Sequence, residues 1–174
     1  MYKGIQKTTL FSNFNELHQY LRIGNIPKQP YNVYSNKLTI NQCIDDNINI
    51  FRICKTKLFF DYAGNDYKTS NDFIGTLHYK WNPDNIKIKY INVDVDKNNN
   101  YNDFYFDAKE AIELKKSLIA YVKNLAKEEN KHKIIADVHH NLKTYKTLYM
   151  NEGFDVTTRK SSHNPQWIEI EHRV

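Results

Sequence analysis

Glycine and proline are scarce in this chain, 5 and 4 of 174 residues, and only two cysteines occur. No Pro/Gly/Ser-rich stretch is long enough to act as a linker, and no internal repeat breaks the sequence. A single domain over residues 1–174 follows, a usual size for one hydrophobic core. Cys43 and Cys54 are too few for a disulfide framework and match no common zinc or redox spacing. They read as buried structural thiols. No metal-ligand set is evident, so no metal is expected. No apolar run approaches the roughly 18 residues that a membrane span needs, and no membrane partner is expected. Residues Met1 to Lys7 lack the apolar core of a secretory signal, and a cytoplasmic location is expected.

Hydrophobic residues make up 40% of the chain and charged residues 26%, the balance of a soluble globular protein. The net charge of +5 is modest and favours an anionic ligand. A basic, aromatic-rich nucleic-acid binder fits the same charge, but no RNA-binding motif accompanies it, so nucleic acid ranks last among the partners.

Hydrophobic periodicity places most elements. Asn13 to Ile23 reads as a short amphipathic helix with Phe14, Leu17, Tyr20 and Leu21 on one side. Pro27 and Pro30 then break it, and Val33 to Ile40 is ambiguous. Ile48 to Tyr62 contains a strand, clearest over Lys57 to Tyr62. Phe73 to Trp81 and Ile86 to Val95 form a hairpin around the turn Asn82-Pro83-Asp84-Asn85. Asp107 to Glu129 is a long helix, with an apolar stripe of Ala111, Leu114, Leu118, Val122 and Leu125 and a capping box of Asp107 with Glu110. A strand (Ile134 to Val138), a short helix (Thr144 to Asn151) and a hairpin of strands Phe154 to Lys160 and Trp167 to His172 complete the order.

One strand is irregular. Ile86, Ile88 and Tyr90 alternate with polar residues, and then the apolar set becomes Ile91, Val93 and Val95. A β-bulge shifts the phase by one residue in this way. A strand buried on both faces gives the same pattern.

The most specific segment runs from Asn141 through Thr144, Tyr145, Tyr149 and Asn151 to Gly153-Phe154. An Asn suits the start of a helix and a Gly its end. The segment resembles the C-terminal signature of the GNAT N-acetyltransferases. The order of elements over residues 73–172 is similar to theirs, with residues 1–50 as the variable helical part bordering the acceptor. The resemblance implies a mixed α/β fold, a twisted mixed sheet flanked by helices. It also implies acetyl-CoA as cosubstrate and a primary amine as acceptor, such as an amino sugar, polyamine, small amine or lysine. In that family the irregular strand is bulged and opens a slot for the pantetheine arm, where the phase slips here.

The resemblance assigns roles residue by residue. Tyr149, four residues before Gly153, matches the proton donor to the leaving thiolate, with Tyr145 as substitute and a core aromatic as the plain alternative. The backbone of Val93, Asp94 and Val95 matches the groups facing the cofactor. Asn141 matches the Asn that opens the helix, one residue further from its Tyr than is usual. Asp94 is a candidate general base or a solvated carboxylate, and His78, His139 and His140 are other titratable candidates. Asp45, Asp46, Asp61 and Asp66 are candidate attractors of a cationic amine. A long edge strand in the Trp167 to His172 hairpin offers a homodimer contact.

The chain departs from the family pattern at the start of the long helix. There Glu110-Ala111-Ile112-Glu113-Leu114-Lys115 stands over the motif whose glycines cradle the CoA pyrophosphate, and it has no glycine and two carboxylates. Either the segment Lys97-Asn98-Asn99-Asn100-Tyr101-Asn102 supplies the phosphate loop, or it is a solvated connection and the domain is a GNAT-fold binding module without catalysis.

Overall fold

Side-chain alternation along eight strands builds the scaffold. The computed structural model describes residues 7–11, 13–24, 37–94, 107–139, 143–160 and 167–174. In chain order the elements are β1 (Lys7–Phe11), α1 (Phe14–Ile23), β2 (Lys37–Asp45), β3 (Ile48–Asp61), β4 (Asp66–Trp81) and β5 (Asn85–Val93). There follow α2 (Ala108–Glu128), β6 (Lys133–His139), α3 (Lys143–Asn151), β7 (Asp155–Lys160) and β8 (Trp167–Arg173). All strands lie in one sheet of order β1-β2-β3-β4-β5-β6-β8-β7. The mixed α/β fold expected from the sequence is the one observed. No helix among the described residues is long and apolar enough to cross a membrane.

β1 to β5 form an antiparallel meander apart from the α1 insertion, and β5 to β6 is a parallel step that α2 bridges. Antiparallel neighbours need only a tight turn: Asp46 and Asn47, both at positive φ, join β2 to β3. A parallel step requires a crossover, and a helix of 21 residues supplies it. Its stripe is buried as expected at Ala111, Leu114, Leu118 and Val122, while Leu125 is only partly covered. Phe51, Leu77, Ile86, Ile88, Ile91 and Val93 belong to the same core. α1 joins this face through Leu17 and Leu21, with Asn13 accepting from the Glu16 amide as N-cap.

The structure corrects the sequence expectations in two places. Among the described residues of the stretch 1–50, β1, β2 and the start of β3 stand beside α1, so helix is not the main element there. β8 is not an edge strand, because the chain leaves β7 and returns between β7 and β6. The edges are β1 and β7, of 5 and 6 residues, short enough to limit strand addition. Cys43 and Cys54 are buried free thiols, as expected.

Candidate functional site

The phase slip in β5 is a bulge. Tyr79 pairs with Ile88 and His78 with Tyr90, so Lys89 faces no partner on β4. Ile86 and Ile88 are buried before it, Ile91 and Val93 after it, while Lys89 and Tyr90 are exposed. A bulge bends its strand and sharpens the twist. The parallel ladder to β6 accordingly stops at Ile88 and Ala136, although β5 runs on to Val93 and β6 to His139. A Lys87–Asp137 ion pair at 3.0 Å sits where the two strands part.

Beyond that point, among the described residues, the backbone of β5 is paired in the sheet with β4 alone. The Asp94 amide donates to the Ile74 carbonyl at 2.8 Å, on the β4 side. Hydrogen-bonding groups alternate sides along an antiparallel strand, so the backbone groups of Asn92 point toward β4 and those of Ile91 and Val93 toward the slot. The Tyr145 hydroxyl donates to the Ile91 carbonyl at 3.1 Å, which confirms this direction. A strand carbonyl that would otherwise bond β6 is thus met by a side chain of α3.

The expected site residues fall at different places around this slot. Val93 faces it with its backbone. Asp94 does not, since its backbone N–H is bound to Ile74; its exposed carboxylate lies on the opposite side of the sheet from α2 and accepts from the Asn92 side-chain Nδ2 at 3.0 Å. Tyr149 is 4% exposed, with its ring edge-on to Phe154 at 5.1 Å. Burial, and then the neighbouring Tyr145, push its hydroxyl well above the usual tyrosine value. Tyr145 stands one turn earlier at the slot and is only partly buried, and its pKa is raised by burial and then by Tyr90. Both phenols keep their protons at neutral pH. Val95, Lys97, Asn141 and His140 lie outside the described residues, as does the Lys97 to Asn102 segment. The four acidic residues split between opposite ends of β3: Asp45 and Asp46 at the turn from β2, Asp61 and Asp66 at the turn to β4. They do not form one cluster. No group of three or more metal-ligating side chains occurs among the described residues.

On the α2 side a cavity of about 450 Å³ runs between α2 and α3, lined by Lys115, Lys116, Thr144, Tyr145 and Asn151 among others. The Lys115 ammonium lies 5.0 Å from the Tyr145 ring centroid, and burial lowers its pKa. Nothing in the sequence singles out Lys115 and Lys116; only the proximity of α3 brings them to this cavity.

These residues fit coenzyme A in part. The slot offers strand groups to an amide-bearing arm, and the cavity offers two cations to phosphates. The start of α2 offers less. Asp107 accepts from the Glu110 amide at 2.7 Å, and the Glu110 carboxylate accepts from the Asp107 amide at 3.3 Å. This capping box places two carboxylates at the positive end of the helix, where a phosphate would otherwise be favoured.

A parallel pair that parts beyond a bulge, bridged by a long helix and followed by a short helix and a hairpin, is the order of elements that the resemblance to the GNAT N-acetyltransferases implies. No family model and no curated protein matches the sequence. Solved structures similar to it include the PaiA N-acetyltransferase of Thermoplasma acidophilum in complex with coenzyme A, at 12% identity and TM-score 0.47. That similarity covers 74% of this chain and 62% of the other, less than two thirds of that protein's length. An acetyltransferase of Streptococcus agalactiae is 12% identical at TM-score 0.49, over 74% of this chain and 68% of that one. A GNAT family acetyltransferase of Elizabethkingia anophelis with acetyl-CoA bound is 16% identical at TM-score 0.43, over 75% and 100%.

Proposed function

We propose that this chain transfers an acetyl group from acetyl-CoA to a primary amine by direct attack, without a covalent enzyme intermediate. The observation that carries the reading is the slot beyond Lys89, where the Ile91 and Val93 backbone faces away from β4 and Tyr145 caps the Ile91 carbonyl. Acetyl-CoA brings an activated acyl carbon on a thiol leaving group. The chain must then hold the acyl oxygen, admit a neutral amine and protonate the sulfur. Ile91 and Val93 supply strand groups for the arm, Lys115 and Lys116 supply charge for the phosphates, and Tyr145 supplies a protonated hydroxyl at the slot. Tyr149 stands behind Tyr145 in the core.

Calorimetric titration with acetyl-CoA, paired with thermal melting, tests this reading. Saturable binding is expected. A ligand bound only to the folded state adds roughly 2.7 kcal/mol at a hundredfold excess over Kd, a rise of about 5–10 °C for a chain of this size. Neither heat nor a melting shift at millimolar acetyl-CoA would leave a GNAT-fold binding module without catalysis. The carboxylates of Asp107 and Glu110 at the start of α2 favour that second reading.

The same feature yields a further expectation. Asp107→Asn keeps an N-cap acceptor of similar strength and removes one negative charge. Stability should stay nearly constant while acetyl-CoA binds about 2–5-fold tighter, from the roughly 0.3–1 kcal/mol of a charge at a helix end. An unchanged Kd in the same calorimetry would place the phosphates away from this helix end.

A further inference from the structure

On the sheet face away from α2, one row crosses four strands and is polar throughout: Asn41 lies opposite Arg52, Arg52 opposite Thr76, and Thr76 opposite Asn92. Residues directly opposite one another share a face, so these side chains form a stripe. Arg52, Thr76, His78 and Asn92, with Phe73 and Asp94, line a cavity of about 380 Å³. Thr76 Oγ1 is buried and has no hydrogen-bond partner among the described residues. An unmet buried hydroxyl is destabilising, and a ligand that bonds it in the cavity would recover that cost. The Arg52 guanidinium lies over the Phe73 ring, 5.2 Å from its centroid, a cation–π contact. Burial, and then the Arg52 charge, lower the pKa of His78, so the ring is neutral at neutral pH and Arg52 carries the cavity's positive charge. At the other end stands the Asp94 carboxylate, steadied by Asn92.

The cavity is therefore polarised. Its cation comes from β3 and its carboxylate from the end of β5, two strand spacings across and two residues along, or roughly 10–12 Å between Cα atoms. The carboxylate end lies on the stretch of β5 whose Ile91 and Val93 backbone borders the slot.

We propose that this cavity is the acceptor site and that the acceptor is an amine carrying an oxyanion, carboxylate or phosphate, held by Arg52 with its nitrogen toward Asp94. The inference rests on the acetyl-transfer reading and names its substrate class. The ammonium loses one proton to solvent through Asp94 before attack. The nitrogen lone pair forms the C–N bond, the thioester C–S bond breaks, and a second proton from nitrogen ends on the sulfur.

The test compares ω-amino acids and aminoalkyl phosphates with n-alkylamines of equal length. Binding is followed by calorimetry on the full chain without acetyl-CoA, and acetyl transfer is then followed with it. The oxyanion-bearing amines should bind at least about tenfold tighter than the alkylamines, a factor worth about 1.4 kcal/mol, and whichever of carboxylate or phosphate binds better identifies the anion. Arg52→Ala should abolish that preference, and Arg52→Lys should restore part of it. Alkylamines binding as well as their anionic counterparts would overturn the inference, as would a preference that survives Arg52→Ala. The wild-type comparison decides even if a variant fails to fold. Failure of acetyl-CoA to bind would instead strike the transfer reading, leaving oxyanion capture by Arg52 to be read separately.

Discussion

Deleting Lys89 is expected to leave a folded protein that no longer binds acetyl-CoA. Lys89 and Tyr90 together occupy one step of the ladder opposite β4, and both are exposed. Without Lys89 the strand regains plain alternation: Ile88 inward, Tyr90 outward, Ile91 inward, Asn92 outward, Val93 inward. The buried set stays buried, so stability measured by urea unfolding should move by no more than about 1–2 kcal/mol, in the range of surface substitutions and modest backbone changes. The backbone bend disappears with the bulge. The ladder with β6, which now ends at Ile88 and Ala136, can then continue through the Ile91 and Val93 groups. Those groups then pair with β6, and Tyr145 loses its acceptor on Ile91. Calorimetry should show acetyl-CoA affinity falling by at least about a hundredfold, some 2.7 kcal/mol. Retained affinity would detach the cofactor from the slot, and an unfolded variant would contradict the face assignment of β5.

The parts legible in the sequence are those whose physics is local. The α2 stripe, its capping box and the Gly153 helix end depend on residues within a few positions of one another, and all three stand in the structure; Gly153 has φ 90°. The β5 phase slip was visible too, although only the register with β4 distinguishes a bulge from a strand buried on both faces. β2 gave no period because both of its faces are covered: Leu38 and Ile40 on one, Thr39, Asn41 and Cys43 on the other, all buried. Most of β4 before Phe73 is polar, which hid its first half. The row Asn41, Arg52, Thr76 and Asn92 could not be seen at all, since its members come from four strands and share a face only once the register is known. The sequence marks His78 and Asp94 as titratable candidates, but nothing in it sets Arg52, Thr76 and Asn92 beside them. In α3 the spacing to Gly153-Phe154 pointed to Tyr149, yet spacing cannot tell which of two tyrosines one turn apart meets β5.

That ambiguity sets the last prediction. Tyr145→Phe should lower turnover more than Tyr149→Phe, by about 10²-fold or more if the hydroxyl protonates the leaving thiolate, the lower end of the usual general-acid contribution. Geometry is the motive: the Tyr145 hydroxyl is at the slot, 3.1 Å from the Ile91 carbonyl, whereas Tyr149 is packed in the core against Phe154. The pKa directions agree. Burial raises both hydroxyls, and Tyr149 is the more enclosed of the two. Each Phe keeps its ring, so packing is largely preserved. Acetyl-CoA affinity should change by less than turnover in Tyr145→Phe, because the effect belongs to the transition state rather than to binding. Steady-state kinetics with calorimetry on both variants checks the order. If Tyr149→Phe proves the more damaging and Tyr145→Phe turns over normally, the proton donor is the buried tyrosine. Tyr145 would then be only a gate over Ile91.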